Sequence, residues 1–438
     1  MARKDFRRTH LDGHELHPTT QMTAYGYDPS LSEGAVKPPV FLTSTFAFET
    51  AEQGAEFFDV VAGRKPAPKG MGASGLVYSR FNHPNTEIVE DRLALYDGAE
   101  TALLTSSGMA AISAVALAYL RPGDAVVHYT PLYGGTETLF GKVFPQWGIK
   151  PTPFTDGMSE GALTYALEKA TRHGPVKMVY LDTPAKPTNA LIDLALMRRV
   201  VDAWADATTE LPLIVVDNTM LGPVFQKPIE MGADICVYSL TKYVGGHSDL
   251  VAGGITGDKH LLKPIRQTRS AYGFQLDPHS SWMLSRSMET LSLRMERAAE
   301  SGRAVAKWLA ENEIIPTRVL HPEMPESDEA AKVYDTHCSG PGSTFSFVVE
   351  DDRALAFRIL NNMQIFKLAV SLGGSESLVC HPASTTHSGV PQEARDTAGV
   401  TEGLIRLSVG LEHPDDLIRD LDQAFRRAAA DSAMQAAD

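Results

Sequence analysis

Two periods of apolar spacing alternate along this chain, and the places where they change mark its parts. From Asn85 to about Gly257, stretches of helical spacing give way repeatedly to short β-branched runs. Residues 89–96 and 108–120 carry the helical period. Residues 101–104, 125–129, 178–181, 213–216 and 235–238 are apolar runs bounded by polar or turn residues, which predicts strands. Helical patterns at 160–172 and 191–206 fall between several of them. Strands alternating with helices predict an α/β domain built on a mostly parallel sheet covered on both faces.

Either side of this region the pattern differs. Residues 1 to about 80 read as an arm, because Pro38-Pro39, Pro66, Pro68 and several glycines interrupt every candidate element. Beyond the α/β region, 280–309 reads as one long helical stretch joining two domains, with Leu284, Met288, Leu291, Met295 and Val305 near helical spacing. The remainder holds a strand at 343–349 and helices at 352–361 and 415–430, an α+β pattern. The expected division is an arm over 1–82, an α/β domain over 83–285 and a smaller α+β domain over 286–438.

Composition narrows the partners. The 438 residues, 43% hydrophobic and 21% charged, exclude a disordered or low-complexity chain. The 40 basic against 54 acidic residues give a net charge of −14, which repels nucleic acid and anionic membrane surfaces. The strongly apolar stretch at 109–120 is far short of the roughly 20 residues that span a bilayer. Arg3, Lys4, Arg7 and Arg8 are followed by Asp12, His14 and Glu15, where an export sequence would need apolar residues. The three cysteines, Cys236, Cys338 and Cys380, make neither a disulfide framework nor a paired-cysteine zinc site. A cytoplasmic location is the expectation. No metal is expected either, since the spacing of Cys380, His381 and His387 matches no common ligand pattern.

Ligands of α/β sheets collect beyond the carboxyl ends of the strands, so the residues that follow each run matter most. The run 235–238 leads into Ser239-Leu240-Thr241-Lys242, with Gly245-Gly246 beyond. A lysine in that position can be partly desolvated, which lowers its pKa and makes it a Schiff-base nucleophile, and the hydroxyls of Ser239 and Thr241 can hold an anion beside it. The run 213–216 ends at Asp217, where a carboxylate can pair with a protonated ring nitrogen, as pyridoxal phosphate requires of an electron sink. Ser107-Gly108-Met109-Ala110 opens a helix whose free N–H groups and dipole suit a phosphate. Tyr133, before Gly134-Gly135, can lay its ring on a cofactor face.

Tyr78-Ser79-Arg80, Ser107-Gly108-Met109, Tyr133-Gly134-Gly135, Asp217-Asn218-Thr219, the Ser239 to Lys242 run with Gly245-Gly246-His247, Ser371-Leu372-Gly373-Gly374, His381-Pro382-Ala383-Ser384 and Arg406-Leu407-Ser408-Val409-Gly410 stand in one order along the chain. Together they resemble the pyridoxal phosphate enzymes of cysteine and methionine metabolism, which include cystathionine γ-synthase, the cystathionine lyases, methionine γ-lyase and O-acetylhomoserine sulfhydrylase. The resemblance implies the type I, aspartate aminotransferase-like fold, with Lys242 as the Schiff-base lysine and Asp217 on the pyridine nitrogen. Tyr133 would stack on the ring and serve as an acid. Gly108, Met109, Ser239 and Thr241 would hold the phosphate. Tyr78 and Arg80 of the arm would reach the phosphate of a neighbouring subunit, which implies an obligate homodimer, usually within a tetramer. Arg406 would clamp the substrate α-carboxylate, with Ser371 assisting from its backbone or hydroxyl.

The resemblance implies γ-elimination or γ-replacement on a sulfur amino acid or an O-acylhomoserine. Sulfhydrylase chemistry, β-elimination from cystathionine and, more distantly, transamination are its alternatives. A non-catalytic binding protein fits poorly with Lys242, Asp217 and Arg406 all present. Three departures bear on the choice. Gly135 stands where methionine γ-lyases carry cysteine, which favours a cystathionine-type site. Val370 stands where cystathionine enzymes carry a glutamate for the distal amino group, and its loss weighs more, since an unpaired ammonium is costly. Lys186 stands where the family has asparagine, near the cofactor phenolic oxygen and the substrate carboxylate. Its ammonium either adds charge there or swings out to solvent, leaving Asn189 to take over part of the role.

Overall fold

The structure, a computed structural model, describes residues 6–66, 75–208 and 211–435. Arg3, Lys4 and Pro68 lie outside them. In chain order the main strands are β1 (Thr101–Thr105), β2 (Ala125–Tyr129), β3 (Lys150–Phe154), β4 (Val176–Asp182), β5 (Leu213–Asp217), β6 (Ile235–Ser239), β7 (Gly253–Gly257), β8 (Arg318–Leu320), β9 (Thr344–Val348), β10 (Lys367–Leu368), β11 (Leu378–Cys380) and β12 (Leu404–Ser408). The chain gathers into two units. One takes in residues up to Ala118 with Val237–Gly245 and Asp249–Ser292; the other takes in Tyr119–Cys236, Gly246–Ser248 and the chain from Leu293 onward.

In the first unit the strand order is β1-β7-β6, with β6 belonging to it from Val237, and β1 pairs antiparallel with β7. The apolar pattern does not reveal β7, whose sequence is Gly-Gly-Ile-Thr-Gly. A close approach explains its composition: a Cβ on Gly253 would lie 2.1 Å from the carbonyl oxygen of Ser107. The helix Pro84–Asp97 packs on β1, and its buried Asp97 accepts hydrogen bonds from the hydroxyls of Tyr238 and Thr256. Buried Arg269 donates to Glu90 Oε1 at 2.5 Å, and the same oxygen takes the Leu104 N–H at 2.9 Å.

The arm is less irregular than its prolines suggest, because Ala51–Val61 forms a helix of 11 residues. Its start is well capped. The Thr50 hydroxyl accepts from the Gln53 N–H at 3.1 Å, and the Gln53 side chain accepts from the Glu49 N–H at 2.7 Å. The expected single helix over 280–309 is in fact two, Pro278–Met288 and Leu291–Glu311. Glu289 and Thr290 close the first with tight bonds back to Arg286 and Ser287, while the Glu289 carboxylate holds Lys37 of the arm.

In the second unit β5-β4-β2-β3 run parallel, and all five residues of β2 are buried. The hydrophobic pattern misses β3 because it contains Pro151 and Pro153. Lys150 turns its N–H toward the Asp124 carbonyl, so the two prolines, in the other phase of the strand, leave the bonds to β2 intact. A second sheet has the order β8-β9-β12-β11-β10, antiparallel except between β10 and β11. The helices Arg353–Asn362 and Pro414–Gln435 bring Leu355, Ile359, Leu421 and Phe425 into one core with Phe345, Phe347, Ile405 and Leu407 of this sheet. Buried Asp420 accepts from the N–H groups of Gln364, Ile365 and Phe366, satisfying a turn that would otherwise bury bare donors. Among the described residues no helix is long and apolar enough to cross a membrane.

Candidate active site

The first unit contributes a corner and a loop. The helix Gly108–Tyr119 begins directly after Ser107, whose hydroxyl accepts from the Ala110 N–H at 3.0 Å. The N–H groups of Gly108 and Met109 have no acceptor within the helix and face outward along its axis. Bulk is excluded from this corner, since a Cβ on Gly108 would meet the Ser239 Cβ at 2.9 Å. Where β6 ends, Lys242 turns back with its N–H on the Ser239 carbonyl at 3.2 Å, and its side chain is half-buried. The Thr241 hydroxyl donates to the Ala252 carbonyl at 3.2 Å and accepts from the Ala252 N–H at 3.0 Å, so it braces the lysine loop. Tyr78 is exposed, and Arg80 lies over the Phe81 ring with one nitrogen on the Ser270 carbonyl at 3.0 Å.

The second unit contributes charges at strand ends. Asp182 and Asp217 close β4 and β5 in matched register, so the parallel pairing sets two buried carboxylates side by side. Asp217 Oδ1 accepts from the Thr219 N–H at 3.0 Å, while among the described residues no hydrogen bond occupies Oδ2. Lys186 is only 4% exposed, with its ammonium 2.6 Å from Asp182 Oδ1 and 3.7 Å from Asp217 Oδ1. The alternative in which it swings out to solvent is therefore overturned, because two buried carboxylates hold it more strongly than water would. Asn189 takes no share of this role: its amide donates to the Thr344 carbonyl at 2.8 Å.

Burial pushes the Asp182 carboxyl up to about 7, with Lys186 pulling it back and Asp217 adding to the rise. Burial alone would lower the Lys186 ammonium, but Asp182 and Asp217 outweigh it and hold it above its ordinary range. Asp182 Oδ2 also accepts the Tyr133 N–H at 3.2 Å, which fixes the turn from which the Tyr133 ring projects, 39% exposed. Gly134 is required there, because a Cβ would sit 2.0 Å from the Thr386 carbonyl oxygen. His387 Nε2 meets the Leu132 carbonyl at 3.2 Å, and burial pushes its ring down to about 4, so it is neutral at ordinary pH. Arg406, on β12, is 5% exposed and donates to the Ser371 carbonyl at 3.1 Å. Among the described residues no carboxylate pairs with it.

The proposed residues thus form two sets: Tyr78, Arg80, Gly108, Met109, Ser239, Thr241 and Lys242 in one unit, and Tyr133, Lys186, Asp217, Ser371 and Arg406 in the other. Reading the sequence gives no role to Asp182, although it ends an apolar run as Asp217 does. Only the strand register shows that these two acids are neighbours.

In the first unit, a helix start walled by glycine and a lysine in the turn after a strand suit a phosphorylated aldehyde, and the class of protein so defined is a pyridoxal phosphate enzyme of the α/β type I fold. Similarity to known proteins makes this more particular. The family described as Cys/Met metabolism PLP-dependent enzyme matches residues 19–426. An L-methionine γ-lyase from Pseudomonas deceptionensis is 37% identical over 94% of this chain and 98% of its own length. Human cystathionine γ-lyase is 34% identical over 98% of each. The crystal structure of cystathionine γ-synthase from Xanthomonas oryzae pv. oryzae in complex with aminoacrylate and cysteine matches with a TM-score of 0.82 at 31% identity, covering 95% of this chain and all of that one. The chain belongs to the Cys/Met metabolism family of PLP-dependent enzymes.

Proposed function

We propose that the protein catalyses γ-elimination or γ-replacement on a sulfur amino acid or an O-acylhomoserine, in the cytoplasm, as a homodimer with shared sites within a tetramer. The observation that carries the reading is Arg406, a buried guanidinium tethered to a carbonyl and, among the described residues, without a carboxylate partner. A buried cation left in that state is poised for an anion, and a planar fork suits an α-carboxylate. The relatives' γ-lyase and γ-synthase activities support the reaction class.

When bound, pyridoxal phosphate supplies the electron sink that lets an amino acid ionise at its α carbon. Gly108, Met109, Ser239 and Thr241 would hold its phosphate, with Tyr78 and Arg80 reaching that of a neighbouring subunit. Asp217 would face its ring nitrogen. The chain's own residues then orient the substrate and move protons. Arg406, steadied by Ser371, holds the carboxylate. Lys242, which would anchor the cofactor, would take the α proton, hand it on to the cofactor, and as a free amine again take a proton from the β carbon. The Tyr133 phenol protonates the departing γ group. Val370 is 58% exposed and offers no acceptor for a distal ammonium, which favours methionine or an acylhomoserine over cystathionine. The three-part division into arm, cofactor domain and smaller domain accompanies this reading.

The test is a product panel by mass spectrometry on purified protein with L-methionine, L-homocysteine, L-cystathionine and O-acetyl- or O-succinylhomoserine, each with and without a thiol. Release of 2-oxobutanoate or exchange of the γ substituent is the expected outcome. Inertness toward every γ-substituted substrate would overturn the reading, and a Lys242→Ala variant that kept its activity would remove the proposed base.

A further inference from the structure

Lys186 stands where the resemblance implies an asparagine, and its surroundings are those of a buried cation. Matched register on parallel strands places Asp182 and Asp217 together in a dry layer. Two buried carboxylates side by side repel each other unless a cation lies between them. Lys186 reaches them from a tight turn, in which Ala185 receives the Asn189 N–H at 2.8 Å and gives its own N–H to Ala190, with Asn189 left-handed at φ 59°. The turn is tied down further by the Ser346 hydroxyl on the Pro187 carbonyl at 2.7 Å. An asparagine here would carry no charge.

We infer that Lys186 is a positioning residue: an internal counter-ion that offsets the repulsion of the buried Asp182–Asp217 pair, fixes the Tyr133 turn through Asp182, and leaves Asp217 Oδ2 for the cofactor ring. Every other carboxylate oxygen of the pair is engaged. Asp182 Oδ1 holds the ammonium, Asp182 Oδ2 takes the Tyr133 N–H, and Asp217 Oδ1 takes the Thr219 N–H with the ammonium nearby. The remaining charged or titratable groups that act on this cluster cannot replace Lys186. Arg406 is also a cation, but its fork donates to the Ser371 carbonyl and, among the described residues, makes no ion pair with either carboxylate. Tyr129 and Tyr180 are phenols held above their ordinary range, chiefly by burial, and His387 is neutral.

The inference rests on the reading of Asp217 as the cofactor's partner only for its last clause, and the experiment separates the two. Full-length parent, Lys186→Met, Lys186→Arg and the double variant Lys186→Met with Asp182→Asn are compared without cofactor by thermal denaturation from about pH 6 to 9, and with pyridoxal phosphate by absorbance titration over the same range. Asp182 is pushed up to about 7 even beside the ammonium, and without it would be held higher still, so the folded chain keeps to a higher pH a proton that the unfolded chain has lost, and stability falls further as pH rises. Lys186→Met should therefore lose stability relative to the parent across this range. Lys186→Arg should follow the parent, and the double variant should lose the added pH dependence. The absorbance midpoint of bound cofactor should move by about one pH unit or more in Lys186→Met.

Parallel denaturation profiles for parent and Lys186→Met would overturn the counter-ion role, whatever the cofactor does. A changed profile with an unmoved absorbance midpoint would uphold the counter-ion and reject the link to Asp217 and the ring. If Lys186→Met does not fold, recovery of soluble protein in the double variant supports the inference, and a double variant that also fails overturns it.

Discussion

Arg406 shows how one residue's surroundings constrain its use. Replacing its fork with a lysine would keep the charge but lose a second parallel hydrogen bond, a loss of roughly 1.5–3 kcal/mol for a bond to a charged group. The expected result for Arg406→Lys is a KM raised roughly tenfold to a hundredfold with a smaller change in kcat, measured by steady-state kinetics on the best substrate of the panel. An unchanged KM would show that the guanidinium does not bind the α-carboxylate. For Lys242→Ala, the expected outcome is activity at least about a hundredfold lower, together with a changed absorbance spectrum of bound cofactor. The strand-end positions of Asp217 and Lys242 are legible in the sequence because each closes or follows an apolar run, whereas Arg406 enters only through the family resemblance. Asp182 and the buried position of Lys186 were not legible, because both depend on which strand lies beside which, and periodicity does not report pairing.

At the scale of elements, apolar period locates the strands built from β-branched residues and fails for those built from glycine or proline. Strand β2 has the same limits in sequence and structure, while β3 and β7 are missed for opposite reasons: one carries prolines tolerated at a sheet margin, the other glycines demanded by a close neighbour. The arm's helix is not legible from periodicity because it is flanked by prolines and glycines and rests on its cap, Thr50 with Gln53. Turns also set where chemistry points. Gly134→Ala would force a Cβ against the Thr386 carbonyl, so the Tyr133 turn has to move. The expected outcome is a lower kcat with bound cofactor retained, and rates equal to the parent would show that this turn has slack.

For the whole molecule, the central prediction concerns assembly. If Tyr78 and Arg80 serve a neighbour's phosphate while Lys242 serves its own subunit, two damaged chains can repair each other. An Arg80→Ala chain and a Lys242→Ala chain, each weakly active, should regain activity when refolded together, because each mixed dimer holds one intact site. Activity no higher than the sum of the separate preparations would reject shared sites. A net charge of −14 suits a crowded aqueous solution, yet charge alone does not keep sheets apart.

Strand β3 bears on that problem. It ends its sheet in the second unit, and the phase of its bonding turns Pro151 and Pro153 away from β2. At those two places the outer margin has no N–H to donate, so another molecule's strand laid alongside would find its acceptors unanswered. The prolines that hid the strand from view thus serve as gatekeepers against aggregation. Replacing both with threonine should leave the fold intact while raising light scattering on prolonged warming of concentrated protein.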